Sequence, residues 1–357
     1  MQADDQYTRI PYIYTIRRFN LNRIKVILPS MKEILAKINK LYGINVSSSE
    51  KVAKGFLSDN YFLSDGMRKF FLKKYRFNNS NRIVEIHASK KYFADSGIPV
   101  ILPISLLDGN TFFEDDGAYY ALFPFIEGRH IEINEITETS IVSLGRMLGK
   151  IHLLGKESKL VVEDRFKIES EEKTFKKIED ILIKISEVSI PSEFDKIAFE
   201  NVQLKKALLL KNTLTFDSLG LGCDHLIHGD FCYHNVFFDD NDKVKWVFDF
   251  EKTNYSPRTY ELFKSMVYSF LSTDITEVNL IDARKYIDAY SSIYPISKDE
   301  IKSGLQLYFI KSIHSFWVES EHYLKGNVRV DHFLFNDNNR IKYLSDNLDV
   351  LISVLTK

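Results

Sequence analysis

The spacing of apolar residues changes character along the chain, from helical to alternating and back again. Ile34, Leu35, Ile38 and Leu41 recur three and four residues apart, which predicts an amphipathic helix; Ser30 and Glu33 have capping-box spacing at its start, and Gly43 follows as a stop. Tyr61 to Leu63 and Lys69 to Tyr75 then flank the turn Ser64-Asp65-Gly66, a hairpin signal. Residues 80 to 95 return to helical spacing, with Ile83, Ile86 and Phe93 on one side and Gly97 at the end. After Pro99 a strand pattern resumes. Turns at Asp108-Gly109-Asn110 and Asp115-Asp116-Gly117 separate apolar segments that end in Ala121 to Ile126.

Beyond Gly128 helical spacing dominates. Ile141, Leu144, Leu148 and Ile151 form one stripe, and a long charged helical stretch is predicted over 168 to 215. Between His225 and Phe250 two short apolar segments flank a polar loop. Further helices are predicted over Ile301 to Leu324 and Arg340 to Leu355. The fold class this implies is α+β in two lobes, a small N-terminal lobe with an antiparallel sheet and a larger, mainly helical C-terminal lobe. The expected division is an extension over 1–30, a small lobe over 31–127 and a helical lobe over 128–357, with Glu127 and Gly128 at the joint. A cleft between lobes is a natural ligand site.

Composition removes several alternatives. At 357 residues, 45% hydrophobic and 27% charged, the chain has the make-up of an ordinary globular protein rather than a disordered or disulfide-stapled one. A net charge of -1 gives no support for a nucleic-acid partner, and Arg17, Arg18, Arg23 and Lys25 read as a basic flap because apolar residues run through them. Cys223 and Cys232 lack metal-ligand spacing and are expected to remain free thiols. No stretch approaches the ~20 apolar residues of a membrane span, and the first residues lack an apolar signal region. A cytoplasmic protein without membrane contact, monomeric or homodimeric, is the expectation.

The chemistry concentrates in His228-Gly229-Asp230-Phe231-Cys232-Tyr233-His234-Asn235, followed by Val-Phe-Asp-Phe-Glu at 247 to 251. Phosphoryl transfer needs a positioned acceptor hydroxyl and cations on the phosphates rather than covalent help. Asp230 suits the first task. Asn235 and Asp249 offer the hard oxygens that Mg²⁺ prefers. Flanking apolar segments put these groups at the ends of short buried strands, a rigid support. The histidines around Asp230 suggest zinc as a rival, but a metallohydrolase leaves Lys73, Glu85 and Asp249 without a task.

With those residues in view, the sequence resembles the aminoglycoside phosphotransferase family, grouped with choline kinases and type II homoserine kinases in the protein-kinase-like superfamily. The resemblance spans roughly residues 31 to 350. His-Gly-Asp-x-x-x-x-Asn followed by Asp-Phe-Glu is similar to that family's signature; Phe71-Leu72-Lys73 resembles its lysine-bearing strand, Glu85 the partner of that lysine, and Leu144-Gly145 through Ile151-His152 its Leu-x-x-His helix. The resemblance implies a kinase using ATP, with GTP as the alternative donor, and Mg²⁺. It implies catalytic roles for Asp230 and Lys73, and an orienting role for His228 at the same site. Nucleotide contacts would come from Lys73, Glu85, the hinge at Phe123 and Phe125, and the loop from Gly55 to Asn60; metal contacts would come from Asn235 and Asp249. Strand alternation puts Phe71, Lys73 and Tyr75 on one face and Lys74 on the other; the resemblance points to Lys73, and a shift of register by one residue would make it Lys74.

A protein kinase fits less well: the position two after Asp230 is Cys232 rather than Lys, and no Ala-Pro-Glu follows Asp249. Arg258 and Glu261 are expected to pair with each other. A catalytically weak nucleotide-binding or structural relative, of the spore-coat kind, is the alternative from another class; the intact Lys73, Asp230, Asn235 and Asp249 set argues against it. For the acceptor, the predicted helix from Ile301 carries Phe316, Trp317, Glu319, Glu321 and Tyr323. Aromatic faces and carboxylates there, with Glu251, would suit a small amine-bearing metabolite or antibiotic.

Overall fold

The computed structural model describes residues 29–52, 59–270 and 279–357; the N-terminal extension as far as residue 28, with Arg17, Arg18, Arg23 and Lys25, and the expected phosphate loop at Gly55 lie outside them. In chain order the elements are α1 (Pro29–Tyr42), β1 (Ser48–Lys51), β2 (Tyr61–Ser64), β3 (Lys69–Lys74), α2 (Ser80–Asp95), β4 (Phe113–Asp115), β5 (Ala118–Pro124), α3 (Glu138–Glu157), α4 (Glu171–Ser186), α5 (Glu193–Lys211), β6 (His225–Ile227), β7 (Val236–Phe238), β8 (Val244–Val247), β9 (Asn254–Ser256), α6 (Arg258–Phe270), α7 (Leu280–Ser291), α8 (Lys298–Ile313), α9 (Trp317–Glu319) and α10 (Leu334–Leu355). They form a small antiparallel sheet with its helices and a mainly helical remainder, the α+β class that the sequence predicts.

Contacts divide the chain into two units, one of residues up to Ser140 with Tyr233–Phe250, the other of Ile141–Cys232 with Glu251–Lys357. The single cut expected after residue 127 is therefore replaced by a discontinuous one. Backbone bonds explain why 233–250 joins the first unit: the Phe238 N–H donates to the Arg129 carbonyl at 2.9 Å, and the Val247 N–H to the Pro99 carbonyl at 2.8 Å.

In the first unit the strands run antiparallel in the order β1-β2-β3-β5-β4, with Phe71 opposite Phe123 and Lys73 opposite Ala121. Period-two alternation splits β3 cleanly. Phe70 and Leu72 join Leu35, Ile38 and Tyr42 of α1 in one buried cluster, while Phe71 and Tyr75 join Ile83 of α2 and Phe123 in another. Leu72 is fully buried, and truncating it to Ala would cost about 2–5 kcal/mol. The hairpin turn is tied by Asp65, whose carboxylate accepts from the Met67 and Arg68 N–H groups, with Gly66 at φ +92°. Helix α2 starts where the Asn79 side chain accepts from the Arg82 N–H. Between Pro99 and β4 no strand forms, against expectation; Pro103 has no N–H to give a ladder, and Val100 makes only an isolated bridge to Val247.

The second unit corrects two predicted helices. The stretch 168 to 215 is two helices, since Pro191 interrupts the ladder and Ser192 with Asp195 forms a capping box that starts α5. The helix from Ile301 stops at Ile313 rather than Leu324. There the buried Lys205 ammonium takes the Ser315 carbonyl at 2.7 Å and the Asp337 carboxylate at 2.5 Å, which stabilises the break; a turn of π-helix follows over Ser320–Leu324. Among the described residues no helix is long and apolar enough to cross a membrane.

Candidate active site

The first unit carries the proposed metal and phosphate residues. Asn235 ends a short 3₁₀ turn (Tyr233–Asn235), and its carbonyl accepts from the Phe248 N–H at 3.1 Å, which sets it beside the segment containing Asp249. Asp249 has φ +62°, a left-handed conformation that costs a residue with a side chain of order 1 kcal/mol and commonly marks a functional position. Its carboxylate receives the Lys73 ammonium at 3.0 Å. Lys73, on the same β3 face as Phe71 and Tyr75, is therefore the lysine that reaches Asp249; the Lys74 ammonium lies over the Tyr120 ring instead. Glu85 lies on α2 and pairs with Arg82 at 3.1 Å.

The expected hinge closes β5. Phe123 is buried with the Lys90 ammonium 4.3 Å above its ring, and the Phe125 N–H is already bonded to the Lys69 carbonyl, so adenine would have to meet other backbone groups there. Asn60 stitches the sheet edge: its carbonyl accepts from Val52 and its side chain from the Lys74 N–H.

The second unit carries Asp230, and here the sequence reading missed the controlling residues. Lys264 of α6 donates to one carboxylate oxygen at 2.5 Å and to the Gly229 carbonyl at 2.9 Å, while Lys252 reaches the other oxygen at 3.1 Å. Burial opposes ionisation of Asp230, but the two ammonium groups more than offset it and hold its carboxyl well below the usual range; Asp230 likewise holds the Lys264 ammonium above its ordinary value against burial. The signal was available. With Cys232 standing where a protein kinase has Lys, a cation for Asp230 has to come from elsewhere, and Lys264 follows Glu261 at i+3 on the helix behind the loop.

That loop is braced from behind. The fully buried Glu261 carboxylate accepts from the His228 N–H at 3.1 Å, the Phe231 N–H at 3.1 Å and His152 Nε2 at 3.0 Å. His152 in turn accepts at Nδ1 from Tyr290 at 2.9 Å, and Arg258 donates to the Tyr290 hydroxyl at 3.3 Å. Burial lowers the His152 pKa, against the pull of Glu261, so the ring stays neutral with Nε2 as the donor. Arg258 and Glu261 are not each other's partner, as had been expected; the Arg258 ion pair is with Glu300 at 2.5 Å. His228 is buried and its Nδ1 accepts from the Asp230 N–H at 3.2 Å, a bracing contact. Gly229 is required: at φ +86° a Cβ there would lie 2.0 Å from the Lys252 carbonyl oxygen.

The residues expected at the acceptor separate. Phe316 and Glu319 are buried, Glu319 accepting from Asn201 at 2.7 Å, and the Tyr323 hydroxyl donates to Asp195 at 2.6 Å. Trp317, 43% exposed, and Glu321 line a cavity of about 540 Å³. Glu321 is held by Lys325 at 2.6 Å and the Asn327 amide at 2.8 Å. Glu251 occupies the 3₁₀ turn just before Lys252. Neither Cys223 nor Cys232 is in a disulfide, and burial pushes the Cys223 thiol up to about 11.

Comparison with known proteins bears on the fold and the family. Stress response kinase A of Escherichia coli (strain K12) is 30% identical over 118 residues, 32% of this chain, and the match spans about a third of that protein's length (35%). Homoserine kinase of Methylobacillus glycogenes is 21% identical over 253 residues, 70% of this chain and 72% of that protein. The crystal structure of a spectinomycin phosphotransferase in complex with ADP and spectinomycin has a TM-score of 0.59 at 15% identity, covering 91% of this chain and 97% of that one, which speaks for a common fold. Residues 49–296, well over half of the sequence, match the family model described as the phosphotransferase enzyme family, and the chain belongs to that family.

Proposed function

We propose that this protein transfers the γ-phosphate of ATP, or of GTP as the alternative donor, to a hydroxyl of a small metabolite or antibiotic. One observation carries the reading: an ionised Asp230 held between Lys264 and Lys252 on a loop braced by Glu261. A carboxylate fixed in this way is suited to accept a hydrogen bond from a substrate hydroxyl and align its oxygen with the γ-phosphorus. The new oxygen–phosphorus bond forms as the bond to the ADP oxygen breaks, and the hydroxyl proton leaves by way of Asp230 to solvent. The depressed pKa of Asp230 suits orientation and late proton acceptance rather than early abstraction.

On the nucleotide side, Lys73 gathers the phosphates, with Glu85 proposed to steady it, and the chain around Phe123 and Phe125 receives the base. Asn235 and Asp249 fit Mg²⁺, supplying an amide oxygen and a carboxylate. When bound, the ion would neutralise phosphate charge. Lys73 beside Asp249 puts the phosphate lysine next to a metal ligand. An amine-bearing acceptor finds less support, because the Glu321 carboxylate already carries Lys325.

The test is a thermal-shift series with MgATP and MgGTP, followed by coupled ADP-release assays over aminoglycosides, choline, homoserine and sugars. A nucleotide-dependent rise in melting temperature with alcohol-dependent ADP release is expected. No shift with either nucleotide would rule the reading out.

A further inference from the structure

Four lysines and two glutamates line the cavity of the second unit. Both glutamates are already matched, Glu169 by Lys177 at 2.5 Å and Glu321 by Lys325 at 2.6 Å. Among the described residues, no ion pair joins Lys167 or Lys311 to a carboxylate. Lys167 is exposed. The Lys311 ammonium is half-buried, donates to the Lys167 carbonyl at 2.7 Å, and lies 4.5 Å from the Phe166 ring centroid and 5.3 Å from that of Tyr260. An ammonium with one backbone acceptor and two ring faces retains donor capacity for a ligand.

The cavity also adjoins the chemistry of its own unit. Tyr260, in its wall, lies one turn before Lys264 on α6, and Lys264 holds Asp230. We infer that this cavity takes the acceptor, and that the acceptor is a hydroxylated anion, a carboxylate or phosphate ester, whose negative group binds Lys311 while the Trp317 face covers its carbon skeleton. This rests on the kinase reading for the identity of the ligand as substrate. The binding claim itself does not require turnover.

The same geometry gives the site a pH limit. Burial first, then repulsion from Lys264, lowers Lys311 to about 8, with Cys223 acting weakly the other way; Tyr260 and the Lys167 carbonyl face it from the other elements, and its helix neighbour His314 is kept neutral chiefly by burial. Lys311 is therefore charged below about pH 8, and affinity for an anion is present there and falls as pH rises through that value.

The test uses Trp317 as the reporter. The chain has two tryptophans, so a Trp246→Phe background leaves Trp317 alone in the cavity wall. The fluorescence of the full-length protein would be titrated with D-glycerate and glycerol 3-phosphate, and in parallel with glycerol, ethanolamine and choline. Saturable changes are expected with the two anions only, weakened at least tenfold by Lys311→Met and again above pH 8. Lys311→Arg should retain binding and abolish the weakening above pH 8, since guanidinium stays charged, and this covers the case in which Lys311→Met folds poorly. Equal or stronger response to the amines, no response to any of the five, or anion binding indifferent to Lys311→Met would each overturn the inference. MgATP thermal shifts on the same samples keep the two readings apart: a nucleotide shift without anion binding defeats this inference alone, and anion binding without a nucleotide shift defeats the kinase reading alone.

Discussion

Glu261→Gln is the perturbation most sharply defined by the structure. Three donors converge on the carboxylate, the N–H groups of His228 and Phe231 and Nε2 of His152, at 3.0–3.1 Å. Glutamine keeps the shape and one accepting oxygen, but its NH₂ must face at least one of those donors. A buried donor left unsatisfied costs roughly 1–3 kcal/mol, and the surviving bonds lose their charge-assisted strength. About 3 kcal/mol in total is a reasonable sum. For a domain of 150–250 residues each kcal/mol moves the melting temperature by about 2–4 °C, so a drop of roughly 6–12 °C is expected at neutral pH by calorimetry. The sign of the pH dependence follows from the depressed Glu261 pKa, in which burial is outweighed by His152 and the loop N–H groups. The stabilisation is present above the ordinary glutamate range and is lost progressively as pH falls from there through the depressed folded value, so the wild-type and variant curves should draw together in acid. A variant melting within about 2 °C of wild type at neutral pH would refute the claim that Glu261 braces the loop.

Lys264→Met removes the closer of the two cations on Asp230. Breaking a buried pair costs about 3–5 kcal/mol, and the lower end applies because Lys252 remains; the acid limb of the kcat/KM profile should move to higher pH as the Asp230 pKa rises. Lys252→Met, whose side chain is half-exposed, should cost less than about 1 kcal/mol in the same melting assay. Lys73→Ala should raise the KM for MgATP roughly 10–100-fold, the worth of a hydrogen bond to a charged group, whereas Lys74→Ala should leave it within about threefold in coupled assays. If Lys74→Ala gave the larger effect, the choice of lysine would be wrong.

Local rules made most of the first unit legible. Alternation in Phe70 to Tyr75 separated its two faces, with Lys73 and Lys74 on opposite sides, and the Ser64 to Gly66 turn fixed the hairpin. Where the reading failed, a long-range contact decided. The break after Ile313 has neither Pro nor Gly to announce it; it is held by Lys205, which lies 110 and 132 residues along the chain from its acceptors Ser315 and Asp337. Arg258 and Glu261 share a helix turn, yet each is drawn to a partner on another element, Glu300 and His152. The split of α4 from α5 was within reach, because Pro191 and the Ser192/Asp195 capping box are local signals. The motif placed Asp230, Asn235 and Asp249, but the two lysines on Asp230 come from segments that no motif names.

The central claim is that Asp230 positions an acceptor hydroxyl for phosphoryl transfer. It is tested most directly by measuring transfer of labelled γ-phosphate from ATP to the best acceptor in the wild type and in Asp230→Asn, with nucleotide affinity measured on the same preparations. The account predicts a loss of several orders of magnitude in transfer with MgATP affinity retained, since the variant keeps Lys73, Asn235 and Asp249. Transfer by Asp230→Asn within tenfold of the wild type would contradict it.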